Sequence, residues 1–219
     1  LRLVQAATLL ERRNHELDQF VHVVSHDLKA PLRAISNLSE WIEMDLEGQL
    51  PPDNQVQLQL LRTRTQRMAA MIDSLLDYSR VGRAELATET VEVAALLAEV
   101  IDTLDPPRSF TIQIAPQMPT LNTKRLLLSQ VFANLISNAI KHHDRPEGTL
   151  EISVQVEREF YEFALRDDGP GIAPEDRDKI FTIFQTLKQS ENNESTGVGL
   201  SIVRKIVETE GGKIRLESQ

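Results

Sequence analysis

The first third of the chain repeats apolar residues at alternating intervals of three and four, the pattern of a helix with one apolar seam. The seam occupies heptad positions a and d: Leu3, Ala7, Leu10, Asn14, Leu17, Val21, Val24, Leu28, Ile35, Leu38 and Ile42. Asn14 is polar, and a buried Asn at position a sets register and oligomeric state in a coiled coil. An ordinary amphipathic helix with this Asn on its surface would have the same spacing.

A second helix is predicted after "EGQLPPDNQ", where Gly48 and two prolines end the first helix and Asp53 or Asn54 can begin the next. Its apolar row has the same spacing: Leu58, Leu61, Thr65, Met68, Ile72 and Leu75. Two such helices form a hairpin, and pairing two hairpins into a four-helix bundle is the simplest way to bury the seam. We therefore expect a homodimer.

The rest of the chain mixes both periodicities. Strands are predicted near 91–93 and over 109–115, 149–157 and 160–167, with one more beginning at 211. Helices are predicted up to about 104 and over 123–142, 174–184 and 199–210. Helices and antiparallel strands in this order predict an α/β sandwich, one sheet with helices on one face. The fold class is therefore α plus α/β.

Composition narrows the possible function classes. The 219 residues are 41% hydrophobic, which is enough for two small cores, and the absence of cysteine excludes disulfides and thiolate metal sites. No apolar run approaches the roughly 18–20 residues that span a bilayer. The net charge of −9 argues against a broad nucleic-acid surface. Because the first residue is Leu rather than Met, we expect the chain to be a fragment of a longer protein. We also expect it to be cytoplasmic and to have no nucleic-acid partner.

The stretch "VVSHDLKAPL" places an ionisable pair beside a helix-breaking residue. Val24 at d and Leu28 at a put His26 at position f, where it points into solvent. Asp27 can accept a hydrogen bond from one ring nitrogen, which fixes the tautomer and makes the other more nucleophilic. Pro31 cannot donate to the helix, a defect of about 3 kcal/mol that is expected to bend or loosen it. This combination favours a functional histidine over an ordinary surface residue.

Three clusters in the second half suggest a nucleotide site. The helix "NLISNAIKHH" places amide, ammonium and imidazole groups on neighbouring faces, and amide oxygen is a good Mg²⁺ ligand. "RDDGPGI" ends a strand with two aspartates and two glycines, and "STGVGL" puts two glycines directly before a helix whose free N–H groups suit phosphate. Each cluster alone also fits a polar helix surface or a tight turn. Three in one domain favour a single nucleotide-binding crevice.

These motifs together resemble the transmitter module of two-component sensor histidine kinases, most closely the phytochrome-like, cytosolic hybrid branch. "FVHVVSHDLKAPL" is similar to the H-box, "QVFANLISNAIKH" to the N-box, "DDGPGI" to the G1 box, "IFTIF" to the F-box and "GVGLSIV" to the G2 box. The resemblance implies a HisKA-type hairpin followed by a HATPase_c domain of the Bergerat type. The implied domains are an incoming coiled-coil signalling helix (1–19), a dimerisation and phosphotransfer hairpin (20–81), a linker (82–88) and an ATP-binding catalytic domain (89–219) without its last strand.

The resemblance also implies roles for individual residues. ATP would phosphorylate His26, Asp27 would deprotonate or orient its ring, and Asn138 would hold Mg²⁺. Asp167 would bind the exocyclic amine of adenine. The implied nucleotide-binding residues are Asn134, Lys141, His142, Asp167, Gly169, Gly171, Lys188, Gly197, Gly199 and Leu200. The implied partners are a response regulator, whose receiver domain would dock near His26 and take the phosphoryl group onto an aspartate, and an upstream sensor domain.

Several positions depart from the family pattern. Ala30 stands four residues after the histidine, where kinases that also dephosphorylate their regulator often carry Thr or Asn, so phosphatase activity is not expected. Thr186 stands where the family commonly has an arginine, and Lys188, two residues later, could supply the missing positive charge. Asp168 stands where the family often has Asn. Two alternatives are a gyrase-, Hsp90- or MutL-like ATPase, which typically has Glu where Asn134 stands, and a pseudokinase that binds ATP without transfer and relays conformational change.

Overall fold

A computed structural model describes residues 2–82, 86–157, 160–186 and 196–218, and within the first helix the side chains of residue 21 and of residues from 23 onward. Two compact units are present: the first contains the helical hairpin up to Arg80 together with residues 196–198, and the second is an α/β domain that begins at Val81 and resumes at Gly199. The predicted fold class, a hairpin followed by an α/β domain, is confirmed. None of the described helices is both long enough and apolar enough to cross a bilayer. The finer domain boundaries stay predictions.

The hairpin consists of two long helices. Helix α1 spans Arg2–Asp45 and helix α2 spans Pro52–Arg80. Helix α1 continues through Pro31, so the proline does not end the helix, although it removes one backbone donor. The two helices pack along each other. Ion pairs between described side chains join them, among them Lys29 with Asp73 and Glu43 with Arg62.

The residues that α1 buries are not those of the predicted seam. Its buried side chains recur every seven residues, at Ser25, Leu32 and Ser39, which correspond to heptad position e. The seam residues Leu28 and Ile35 remain 49% and 41% exposed. Among the described side chains of α1, the single hairpin therefore leaves most a and d positions exposed.

The α/β domain contains five strands and three α-helices among the described residues. The strands are β1 Glu89–Glu92, β2 Phe110–Ile114, β3 Thr120–Thr123, β4 Gly148–Glu157 and β5 Phe160–Asp167. The helices are α3 Val93–Leu104, α4 Arg125–Lys141 and α5 Gly199–Thr209. The strands form two sheets, an antiparallel β1–β3 pair and a mixed β2–β4–β5 sheet, so the expectation of one sheet was wrong. Strand β3 was not predicted, since it has only four residues and lies just before a helix.

One hydrophobic core joins these elements. Phe132 and Ile136 of α4 pack with Leu150 and Ile152 of β4, together with residues of α3. Phe132 also meets the ring of Phe163 on β5 edge to face, with ring centroids 5.5 Å apart. The spacing of four on the helix and two on the strand directs these side chains inward. The core fixes α4 over the three-stranded sheet.

Two predicted elements differ from the structure. Instead of a helix over 174–184, there are two short 3₁₀ turns, Pro174–Asp176 and Lys179–Phe181. Five consecutive charged residues, 175–179, precede Ile180, the only buried residue among 172–186, so this segment has no continuous apolar face to stabilise a helix. The predicted last strand also does not form, and residues 212–218 pair with no strand in the described part of the chain. They are held by side chains instead, including an ion pair between Arg215 and Glu162.

Candidate functional site

His26 lies exposed on α1, as its heptad position predicts. Its side chain and that of Asp27 are each 72% exposed, and its Nδ1 lies 3.2 Å from Oδ1 of Asp27. When Nδ1 carries the proton, it donates to this carboxylate, and Nε2 keeps a lone pair for an electrophile. The adjacency expected from the sequence is therefore a contact at hydrogen-bond distance. The role of Asp27 as a base stays a prediction.

Charged residues of α2 surround the next turn of α1. Lys29 is ion-paired with Asp73, which ties this part of α1 to α2. Burial raises the pKa of Asp77, Arg80 opposes that rise, and the carboxylate of Asp73 adds to it. Acidic and basic groups are therefore mixed here, with one lysine paired between the two helices.

Helix α4 carries its core and its polar residues on opposite sides. Phe132 and Ile136 are buried, whereas Asn134 and Asn138 are half-buried. Two residues correspond to about 200° around an α-helix, so the amides face away from the side that packs on the sheet. The two asparagines are one turn apart and share a face, as predicted from their spacing.

The structure brings Asn134 and Gly199 together. Nδ2 of Asn134 donates to the carbonyl of Gln130 at 2.8 Å, which orients the amide. A Cβ atom added to Gly199, the first residue of α5, would lie 2.7 Å from Oδ1 of Asn134. Only glycine permits this approach without displacing the amide. The free N–H groups in the first turn of α5 thus begin beside the polar face of α4.

Asp167 ends β5 and is held in a turn. Its Oδ1 accepts a hydrogen bond from the backbone N–H of Gly169 at 3.0 Å. A Cβ atom on Gly169 would lie 2.7 Å from that same oxygen, so a larger residue would push the carboxylate away. Gly171, two residues later, has a φ of 71°. The turn therefore presents an exposed, oriented carboxylate with its second oxygen available to a ligand.

Asp168 points in another direction and organises a network that the sequence analysis missed. Its Oδ1 accepts from the backbone N–H of Thr149 at 2.6 Å and lies 3.0 Å from Nε2 of His143. Its Oδ2 accepts from Arg145 at 3.1 Å. The hydrogen bond from Thr149, followed by those from His143 and Arg145, lowers the pKa of Asp168. The stretch "HHDRPEG", which joins α4 to β4, was the signal in the sequence for this cluster.

Four other predicted nucleotide-binding residues lie at the C-terminal end of α4 or in and just before the first turn of α5. Lys141 and His142 are exposed where α4 ends. Gly197 has a φ of 69°, and Leu200 is half-buried in the first turn of α5. Lys188 lies outside the described residues.

The residues present fit a magnesium–nucleotide complex. In the part of the chain that is described, no group of three or more His, Asp or Glu side chains gathers to hold a metal. A cation beside Asn138 would therefore take most of its ligands from phosphate oxygens and water, which is how Mg²⁺ binds at many nucleotide sites. The amide oxygen of Asn138 is a hard ligand of the kind that Mg²⁺ accepts.

Comparison with known proteins identifies two domains in the chain. The His Kinase A (phospho-acceptor) domain model, HisKA, matches residues 16–84. The model of the histidine kinase-, DNA gyrase B- and HSP90-like ATPase, HATPase_c, matches residues 123–219. The full-length ShkA crystal structure in complex with AMPPNP superposes with a TM-score of 0.63 at 24% identity, over 88% of this chain and 41% of that one. That likeness shows the fold.

Two relatives are phytochromes of Nostoc sp. strain PCC 7120. Cyanobacterial phytochrome B is 38% identical over 224 residues, and cyanobacterial phytochrome A is 36% identical over 220 residues. Each match covers 99% of this chain and 29% of the relative, so the chain spans less than a third of their length. A gyrase- or Hsp90-like ATPase lacks this support, because HisKA is a phosphoacceptor domain. The chain belongs to the histidine kinase family, as a transmitter module in which a HisKA domain precedes a HATPase_c domain.

Proposed function

We propose that this chain transfers the γ-phosphoryl group of ATP to His26 and passes it on to an aspartate of a response regulator. The observation that carries this proposal is the exposed imidazole of His26, whose Nδ1 lies 3.2 Å from Oδ1 of Asp27, on a hairpin that precedes a nucleotide-binding domain. The chain covers 29% of its phytochrome relatives, so this activity concerns the transmitter part of a longer protein.

Asp27 prepares His26 for phosphorylation. With the proton on Nδ1 shared with the carboxylate, the lone pair of Nε2 attacks the γ-phosphorus. The bond between that phosphorus and the bridging oxygen breaks as the N–P bond forms, and ADP leaves with the electron pair. The carboxylate of Asp27 then balances the positive charge that the ring acquires, or takes its Nδ1 proton.

The α/β domain binds both ends of the nucleotide, the adenine base and the phosphates. Asp167 accepts a hydrogen bond from the exocyclic amine of adenine, which selects ATP over GTP. The N-terminus of α5, from Gly199, receives phosphate oxygens, and Lys141 supplies positive charge. The remaining proposed nucleotide-binding residues are Asn134, His142, Gly169, Gly171, Lys188, Gly197 and Leu200. Mg²⁺, held by Asn138, offsets the charge of the phosphoryl group that is transferred.

The apolar seam of the hairpin supports a homodimer. Leu28, Ile35, Leu38 and Ile42 recur at heptad positions and are between 41% and 52% exposed in the single chain. A second hairpin that covered them would complete a four-helix bundle. We assign the seam to this contact, and the surface around His26 to the receiver domain of the response regulator.

Further properties belong to the same proposal. The transmitter acts in the cytoplasm, downstream of a sensor domain in the longer protein, and does not bind nucleic acid. Ala30 has no side-chain group that could orient a water, so the chain does not dephosphorylate its regulator by that route. This property is tested by the lifetime of a phosphorylated receiver domain, which the chain should leave unchanged.

The central test is incorporation of label from γ-³²P-ATP in the presence of Mg²⁺. We expect acid-labile, alkali-stable label on the wild-type chain, as for a phosphohistidine. His26→Gln should abolish labelling and leave ATP binding unchanged, since His26 lies outside the nucleotide-binding domain. Asn138→Ala should reduce labelling by at least about a hundredfold, because it removes the protein ligand of Mg²⁺. Glu40→Gln, an exposed change on α1, is the matched control.

Two outcomes would contradict the proposal. Alkali-labile label that persists in His26→Gln would identify another acceptor. ATP binding without any label on the wild-type chain would favour the pseudokinase. A receiver domain added to the labelled chain should remove the label, and label that stays on the chain with every receiver tested would contradict the second transfer.

A further inference from the structure

We propose that His143 is a positioning residue, which acts through Asp168 to hold the adenine-binding turn of Asp167 against the end of α4. This inference rests on the proposed function, because it assumes that Asp167 recognises adenine. His143 follows α4 by two residues, and Asp168 follows Asp167 directly. A contact between them therefore links the helix that carries Asn138 to the turn that carries Asp167.

The ring of His143 is built into the domain. Its side chain is 2% exposed, and it meets Phe110 edge to face with ring centroids 5.6 Å apart. A Cβ atom on Gly148 would lie 2.4 Å from the ring of Phe110 and 2.9 Å from that of His143, so glycine leaves room for both. A histidine packed in this way has little rotamer freedom, which makes it a rigid support.

Both ring nitrogens of His143 have partners. Nε2 lies 3.0 Å from Oδ1 of Asp168. Nδ1 lies 3.2 Å from the backbone nitrogen of Arg145 and 3.0 Å from its carbonyl oxygen. When the backbone N–H of Arg145 donates to Nδ1, the ring proton is on Nε2 and donates to Asp168. The imidazole is thus held by the loop after α4 and in turn holds the Asp168 carboxylate in place.

Asp168 receives support from three residues in two segments, the loop after α4 and the start of β4. Besides His143, its carboxylate accepts from the backbone of Thr149 at the start of β4 and from the guanidinium of Arg145. Its own backbone N–H donates to the carbonyl of Thr149 at 3.2 Å, and its carbonyl accepts from Arg145 at 2.8 Å. These contacts fix the backbone immediately after Asp167. The direction of the Asp167 carboxylate then depends on His143, although the two side chains belong to different elements.

The expected signature is a loss of base selectivity. An interaction that orients a hydrogen-bond acceptor for adenine affects ATP more than GTP, because the adenine amine is the group that distinguishes them. A residue that only stabilised the fold would weaken both nucleotides in parallel with the thermal stability. We also expect the KM for ATP to rise while kcat stays unchanged, since the turn contacts the base and not the transferred phosphoryl group.

The experiment measures dissociation constants of Mg²⁺-ATP and Mg²⁺-GTP for the full chain by calorimetry, together with the thermal midpoint of each variant. His143→Ala removes the support, and His143→Gln keeps an amide donor that can reach Asp168. Arg145→Ala and Asp168→Asn alter exposed members of the network, which guards against a variant that does not fold. Arg125→Ala is the matched control, because it breaks an ion pair with Glu99 at the opposite end of α4.

His143→Ala should weaken ATP binding about tenfold and leave GTP binding within about twofold, so that the preference for ATP shrinks by a similar factor. His143→Gln should recover most of that loss. Arg145→Ala and Asp168→Asn should each weaken ATP binding about threefold, because Oδ1 of Asp168 keeps its contacts in both. The labelling rate at saturating ATP should stay within about twofold in every variant.

An unchanged ATP preference in His143→Ala, Arg145→Ala and Asp168→Asn would overturn the inference alone. Parallel losses of ATP and GTP affinity that follow the thermal midpoint, without recovery in His143→Gln, would do the same. A wild-type chain that does not prefer ATP to GTP would instead refute the role of Asp167 and the inference with it. Wild-type ATP preference without labelling of His26 would contradict only the proposed transfer.

Discussion

The hairpin and the α/β domain differ in how far their apolar residues are buried. Along α1, Leu28, Ile35 and Leu38 are 49%, 41% and 52% exposed, and the buried positions include Ser25 and Ser39. In the α/β domain, by contrast, a set of large side chains is at most 1% exposed: Leu96, Leu97, Phe132, Ile136, Leu150 and Ile152. The domain covers its own core, whereas the hairpin does not cover its seam.

This difference shows that a regular repeat and a filled core carry different information. A heptad repeat indicates that a helix has an apolar side. That side can be buried against the same chain or against a second chain. The core of the α/β domain mixes residues from helices and strands far apart in sequence, and it closes within one chain. Perturbing each region should therefore change different observables.

The largest effect is expected in the core of the α/β domain. Phe132→Ala should lower the free energy of unfolding by about 3–5 kcal/mol, because it removes a buried ring and leaves a cavity beside Phe163. Leu126→Ala on the same helix should change it by less than about 0.5 kcal/mol, since Leu126 is 64% exposed. Urea unfolding measures both. Equal effects of the two variants would contradict the core described for α4.

The hairpin should instead respond through its oligomeric state. Ile35→Asp should raise the dissociation constant of the dimer by at least about a hundredfold, because it buries a carboxylate in each half of the seam. Light scattering after size-exclusion chromatography measures the mass across a concentration series. Glu40→Lys, on the same helix outside the seam, should keep the wild-type mass. A monomeric wild-type chain at all concentrations would rule out the homodimer.

A smaller effect should separate the site from the core. Gly199→Ala should weaken ATP binding about tenfold, because the new Cβ atom would displace the amide of Asn134 that Gln130 holds in place. The free energy of unfolding should change by less than about 1 kcal/mol, since the clash involves a side chain. Calorimetry and urea unfolding measure the two quantities. Glu208→Gln, exposed on the same helix, is the control, and undiminished ATP affinity in Gly199→Ala would contradict the close approach.

The smallest effect should appear at acidic pH. Hydrogen bonds from Thr149, His143 and Arg145 lower the pKa of Asp168 in the folded chain. The ionised carboxylate therefore stabilises the domain above the unfolded value of about 3.9, and this contribution is lost as the pH falls through the lower folded value. Asp168→Asn does not titrate, so the stability difference between wild type and variant should shrink below about pH 4.

Urea unfolding at several pH values between about 2 and 6 measures this difference. Asp144→Asn is the matched control, because the Asp144 carboxylate lies in the same loop and has no hydrogen bond from Thr149. A difference between wild type and Asp168→Asn that stays constant over the whole range would contradict the depressed pKa of Asp168.

Much of the site could be predicted because it lies in local patterns. The exposure of His26 follows from its heptad position, and the shared face of Asn134 and Asn138 follows from their spacing of four. The support of the adenine turn could not be predicted in the same way. His143 and Asp168 are 25 residues apart, and the sequence around each of them does not indicate that the two side chains are in contact. The antiparallel pairing of β4 with β5, in which Leu150 lies opposite Asp167, brings the end of β5 to the loop that carries His143.

By itself the sequence determined the elements in which a regular apolar pattern continues over many residues: the two hairpin helices, the helix that carries the asparagines, and strands β4 and β5. The tertiary structure decided which side of α1 meets α2, how the strands divide into two sheets, and that Asp168 faces His143 while Asp167 stays exposed. The physical reason is range. Periodicity reports which side of an element is apolar, whereas the partner of each side depends on contacts between residues that are distant along the chain.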